Sequence, residues 1–159
     1  MNYNYFVIAK IVHILAVVLW IGGVGFVTTV LIPSLRKTQE PEDRLRLFGA
    51  LEAKFSFQAK LTTLLAGASG AYMLQVMDAW SRYTMPQYWW LHLMTFIWII
   101  FTLVLFVLEP LFLHNWFHTQ ATKNNERAFL ALQVMHVVLF SLSLFAIIGG
   151  MAGSHGFIF

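Results

Sequence analysis

The chain of 159 residues has no cysteine, which removes disulfides, thiolate metal sites, covalently attached c-type haem and iron-sulfur clusters together. Charge is also scarce, at 11% of residues against 59% hydrophobic, and the mean hydropathy is +0.71. A water-soluble domain of this size needs far more polar surface, so lipid is the expected solvent over most of the length. No phosphate-cradling glycine loop, zinc-protease signature or nucleophile elbow is present, so no soluble-enzyme class is indicated. The net charge of +3 and pI near 9.4 do not point to nucleic acid, because the basic residues lie between hydrophobic runs, where membrane orientation accounts for them.

What is present is four apolar segments, each close to the roughly 20 residues a helix needs to cross a bilayer. They run over 5–33, 57–77, 88–113 and 129–153. The first is too long for a signal-peptide core and has no basic residue before Lys10, so it is expected to remain as a helix. The fold expected is all-α: one transmembrane domain forming a four-helix bundle. Small residues four apart, Ala66 with Gly70, Gly67 with Ala71 and Gly149 with Gly153, are expected to face neighbouring helices.

The first polar loop carries Arg36, Lys37, Arg44, Arg46, Lys54 and Lys60, and the third carries Lys123 and Arg127. The positive-inside rule puts both loops in the cytoplasm of a bacterial-type inner membrane, with both termini outside. Trp80, Trp89 and Trp90 at the outer ends and Trp116 at the inner fit interfacial belts. Within the first loop, Pro41-Glu42-Asp43 looks like a helix start. Leu45, Phe48, Leu51 or Glu52, and Phe55 follow near helical spacing, which predicts a short amphipathic helix on the membrane surface.

Ionisable groups inside a membrane are costly and mark functional candidates. Histidine matters most, since neutral imidazole can ligate haem iron. Counting about 1.5 Å per residue from the span midpoints places His13 roughly 10 Å and His92 roughly 13 Å to the outer side, and His136 roughly 6 Å to the inner side. His13 and His92 could therefore share one iron. Ala16, Trp20, Gly23 and Val27 share a helical stripe with His13, so a flat macrocycle could lie there; equally, the small residues could admit another helix, with His13 bonded to it. His136 reads either as a second axial ligand or as a polar bridge within the bundle. His114 and His118, four apart, could bind a metal at the inner surface but fit solvated interfacial histidines better, and His155 belongs to a tail that could cover the outer site or coordinate copper but fits a flexible tail better. Lys60 and Glu109 lie at similar depth, so an ion pair is preferred to a proton relay. Lys10 could snorkel outward or meet a haem propionate.

The run His13-Ile-Leu-Ala-Val-Val-Leu-Trp20-Ile-Gly22-Gly23 resembles the first-helix motif of the copper-resistance protein D-like membrane family, and the same histidine-to-tryptophan spacing occurs in HemJ-type protoporphyrinogen oxidases. Leu61-Thr-Thr-Leu-Leu-Ala-Gly67, continuing to Gly70, Tyr72 and Leu74, is similar to the second helix of that superfamily, and Trp90-Leu91-His92 to the start of its third. The resemblance implies a bundle that binds b-type haem with His13 at the matching axial position. HemJ-type proteins carry lysine two residues after the histidine matching His92; here Met94 stands there, which argues against porphyrinogen oxidation, though methionine can itself ligate iron. The expectation is a haem b held by His13 and His92, serving electron transfer or redox chemistry on a small lipophilic or periplasmic partner. A non-catalytic subunit packed into a larger membrane complex and a copper-handling protein are the alternatives; a homo-oligomer is compatible with any of them. Seven methionines without a Met-x-x-Met array give copper little to bind.

Overall fold

The computed structural model describes residues 3–38, 40–113, 119 and 124–156. Its first helical rod is α1 (Tyr3–Phe26), which passes through a π-helical stretch, Val27–Leu31, into α2 (Ile32–Thr38). The wider π turn has a local cause. Thr28 and Thr29 donate their hydroxyls to the carbonyls of Val24 and Gly25, and the Gln133 amide donates to the Thr28 carbonyl, so backbone acceptors are satisfied from side chains where the regular ladder is disturbed.

The second rod, α3 (Pro41–Val76), differs from expectation. The segment predicted as a separate surface helix and the segment predicted as the second span form one helix of 36 residues. Nothing between them breaks a helix, and Phe48 and Arg44 are buried against α2 and the last helix instead of lying on a membrane surface. Hydroxyls and small residues, Thr62, Thr63, Ser69 and Gly70 among them, make the second half of α3 less apolar than the other rods. By length and composition three stretches qualify for crossing a membrane, Tyr3–Lys37, Pro86–Leu111 and Asn125–Ser154, and α3 does not qualify by itself.

Helix α3 ends in a Schellman turn. The Ala79 amide reaches the Leu74 carbonyl and the Asp78 amide the Gln75 carbonyl, with Asp78 left-handed at φ 48°. Two short 3-10 turns, Trp80–Thr84 and Pro86–Tyr88, lead into α4 (Trp89–Leu103), which continues as a π-helical stretch, Val104–Leu113, around Pro110. Proline has no N–H to give the turn before it, so the regular ladder cannot pass Pro110. The last helix, α5 (Asn125–Ser154), starts where the Asn124 side chain accepts the Arg127 amide.

The most extensive pairing is α1 with α3, followed by α4 with α5. Small residues make it possible. A side chain at Gly67 would run into the Trp98 indole, and one at Gly153 into Trp90, so both glycines are sites of close approach, as predicted. Ala66 is buried as expected, whereas Ala71, the partner of Gly67 in that pattern, is exposed. The middle of the bundle is a core of Ala16, Trp20, Ile21, Val24, Ala66, Ile97, Phe101 and Ala146, with Trp20 and Phe101 edge to face at 4.9 Å. Leu15, Val18, Leu61, Phe96, Phe145 and Ile148 point outward, an apolar exterior suited to lipid contact.

The two ends of the bundle differ. One is aromatic: Trp80 stacks with Tyr83, Arg82 lies over Tyr88, and Trp89 and Trp90 cover Gly149. The other is tied by Arg44, which donates to the Asn125 and Glu126 side chains and to the Arg36 carbonyl, and sits 5.5 Å from the Phe129 ring centre. One buried guanidinium thus joins α2, α3 and α5.

Candidate functional site

The two imidazoles expected to share an iron are each committed elsewhere. His13 donates its Nδ1 hydrogen to the Ala66 carbonyl on α3 at 2.9 Å, and Ser69 Oγ lies 3.2 Å from the same nitrogen. Its ring lies against Gly70. The stripe that could have received a macrocycle is covered by α3: Phe55 fills the space over Gly23, Ala16 is buried, and Trp20 is in the core. Admission of a neighbouring helix is therefore the outcome for this face. His92 is exposed at the aromatic end, where its Nε2 hydrogen goes to the Tyr83 carbonyl at 3.0 Å and its ring meets Tyr83 edge to face. Met94 packs on the central core against Gly150, and Lys10 is exposed. His155 bonds to the Met151 carbonyl in its own last turn. His114, Trp116, His118 and Lys123 lie outside the described residues. Among the described residues no three histidine or acidic side chains cluster to hold a metal ion.

What the fold does build is a cavity of about 560 Å³ between α1, α3, α5 and the π-helical part of α4, running from the central core toward the Arg44 end. Its volume is in the range of small-molecule sites. The walls are mainly carbon: Val24, Phe48, Phe55, Phe101, Leu105, Met135 and Leu139 supply most of them. Trp20 and Phe101 close it toward the middle of the bundle, and Glu52, Ser56, Glu109 and His136 contribute the polar lining.

Three side chains of the lining have an unmatched atom. His136 donates its Nδ1 hydrogen to the Leu132 carbonyl at 2.9 Å, one turn back in α5, which fixes the tautomer and leaves Nε2 as a lone-pair acceptor. Glu109 takes the Ser56 hydroxyl and, at 3.3 Å, the Lys60 ammonium on Oε1, while Oε2 is buried without a partner. Trp20 Nε1 is likewise buried and unmatched. Thr63 Oγ1 and Gln133 Oε1, away from the cavity, are buried and unmatched as well, whereas Trp98 gives its indole N–H to the Thr63 carbonyl at 2.9 Å. The ion pair between Lys60 and Glu109 is the one expected from their depth; that one oxygen of the pair stays bare was not legible, because the π-helical register that places Glu109 has no sequence signature. The cavity itself was missed for the same reason. His136 was the weaker candidate by depth, yet it is the histidine that reaches a cavity.

Comparison of the chain with protein-family models, with curated proteins and with solved structures gave no match.

Proposed function

We propose that this chain is a four-span membrane protein, its Arg44 end on the cytoplasmic side of a bacterial-type inner membrane, that binds a lipophilic ligand in the cavity between α1, α3, α4 and α5. The observation that carries the reading is the cavity itself, about 560 Å³ between mainly carbon walls with His136, whose Nε2 is left as an acceptor, on its lining. A stretch of bundle serving packing alone would close to interior density. An amphiphile with a small polar head would fill such a chamber. The excess of arginine and lysine at the Arg44 end supports the orientation.

The test is photo-crosslinking in membranes with a long-chain alkyl benzophenone, read by mass spectrometry of the labelled peptides. Label on the α5 segment containing Met135 and Leu139, lost when Ala59→Trp fills the cavity, is the expected result. Label confined to lipid-facing residues, indifferent to that substitution, would remove the reading.

A second reading is favoured by one observation. His136, held through Nδ1 by a backbone carbonyl with Nε2 free, has the arrangement of a metal-ligating imidazole, so the haem b implied by the family resemblance would take its axial ligand there and not from His13 or His92. The iron ligand fits. The propionate partners do not, since the polar wall offers Glu52 and Glu109, and Lys60 is already engaged by Glu109. Such a haem would supply one-electron redox chemistry. A visible spectrum of the purified protein decides: split bands on reduction, lost in His136→Leu and kept in His13→Leu, would establish haem at this place.

A further inference from the structure

A groove of about 350 Å³ runs between α1 and α3 on the outside of the bundle. Val27, Leu31 and Phe55 form the wall it shares with the central cavity, and the exposed residues Phe26, Leu51, Lys54 and Gln58 stand along it. Two of these are polar, on a helix that the four-span arrangement puts in lipid. Among the described residues the Gln58 amide reaches only the Leu19 carbonyl, at 3.5 Å, and Lys54 has no ion pair. Lys60, further along α3, is balanced by Glu109, and Arg36, Arg44 and Arg46 are balanced by Glu126 or Asp43. A polar side chain on a lipid-facing wall is costly until something pairs it.

Depth and charge identify the partner. Lys54 lies about 33 Å along α3 from Val76, against a hydrocarbon layer of about 30 Å, so with the aromatic end at the outer surface it falls at the inner edge of the lipid tails. Its Cβ leans toward the helix N-terminus, which is the headgroup side. Gln58, one turn deeper and leaning the same way, comes level with the ester linkages of a phospholipid. Among the described residues no acidic side chain lines the groove, so its one charge is positive. Resting on the four-span arrangement and orientation proposed above, and independent of what fills the central cavity, we propose that this groove binds an anionic phospholipid of the inner leaflet. Its phosphate meets Lys54, an ester carbonyl accepts the Gln58 amide N–H, and the start of one acyl chain lies against Phe26 and Phe55.

Photolabelling of the full chain in vesicles tests this. Two probes carry the same acyl chain with a diazirine near its start, one on phosphatidylglycerol and one on phosphatidylcholine, each at the same low fraction in phosphatidylcholine vesicles, and labelled residues are read by mass spectrometry. Labelling at Phe26 and Phe55 should be about fivefold greater from the anionic probe, the size of one lysine's attraction for an anionic lipid surface. Phe145 and Ile148, exposed on α5, should be labelled equally by both probes and set the scale for bulk lipid, in the variants as in the unaltered chain. Lys54→Gln should bring the groove ratio near one, Lys54→Arg should keep it, and Lys37→Gln, which removes an exposed cation outside the groove, should leave it unchanged. Equal groove labelling by the two probes, a ratio unmoved by Lys54→Gln, or one that Lys37→Gln lowers as far, would each overturn the proposal. A groove that neither probe labels while Leu61 and Leu65 are labelled is covered by protein, a second copy or another subunit, and overturns it too. No label anywhere along α3 would fell the four-span arrangement itself.

Discussion

The His13 imidazole gives its Nδ1 hydrogen to the Ala66 carbonyl, 2.9 Å away on α3, and in doing so fastens the two most extensively paired helices. In this arrangement the contact ties one helix to the other. His13→Leu should lower stability in detergent by about 0.5–1.5 kcal/mol, the net worth of one hydrogen bond, and leave the cavity crosslink unchanged. Thermal unfolding run beside the labelling assay checks both halves; loss of labelling with stability intact would assign His13 to the ligand.

Lys60 and Glu109 should behave as a unit. Lys60→Met alone leaves a carboxylate among apolar side chains and should cost about 3–5 kcal/mol, whereas Lys60→Met with Glu109→Leu should recover most of it. A double-mutant cycle on the unfolding free energy reads the coupling.

Gly67→Val should destabilise by about 1–3 kcal/mol through overpacking, because its Cβ would collide with the Trp98 indole and displace the N–H that Trp98 gives to Thr63. Near-ultraviolet circular dichroism should report a changed tryptophan environment, which Gly22→Val, with open space around it, should not produce.

Asp78 is the described non-glycine residue with positive φ, at the left-handed position closing α3. Asp78→Gly should raise stability by about 0.5–1 kcal/mol, since glycine enters that region without the side-chain penalty. The melting temperature of the single variant tests it, with Asp78→Val expected to move the opposite way.

Three of the four expected spans, the glycine contacts at Gly67 and Gly153 and the Lys60–Glu109 pair were legible because each depends on spacing along a single helix or on depth counted along its axis. For His13 two readings stayed open, since periodicity gives the face a residue lies on but not which neighbour covers it; Phe55 and Gly70, far along the chain, cover that face. The boundary between surface helix and span near Phe57 was read from a change in polarity. A helix ends where capping or proline ends it, and no proline lies between Arg46 and Val76, so α3 runs on. The π-helical stretches were invisible because hydroxyl-to-carbonyl bonds at Thr28 and Thr29 and a proline at 110 are compatible with several registers.

Helix α3, at 36 residues and about 1.5 Å each, is roughly 54 Å long, against a hydrocarbon layer of about 30 Å. In the four-span arrangement proposed above, α3 lies along α1 and carries one terminus well past the lipid tails. The Arg44 knot with Asn125 and Glu126 would then sit among headgroups and water, where dissolved ions reach it, while the Lys60–Glu109 pair would lie deeper. Rising ionic strength would therefore loosen the bundle from that terminus first and leave its aromatic half closed.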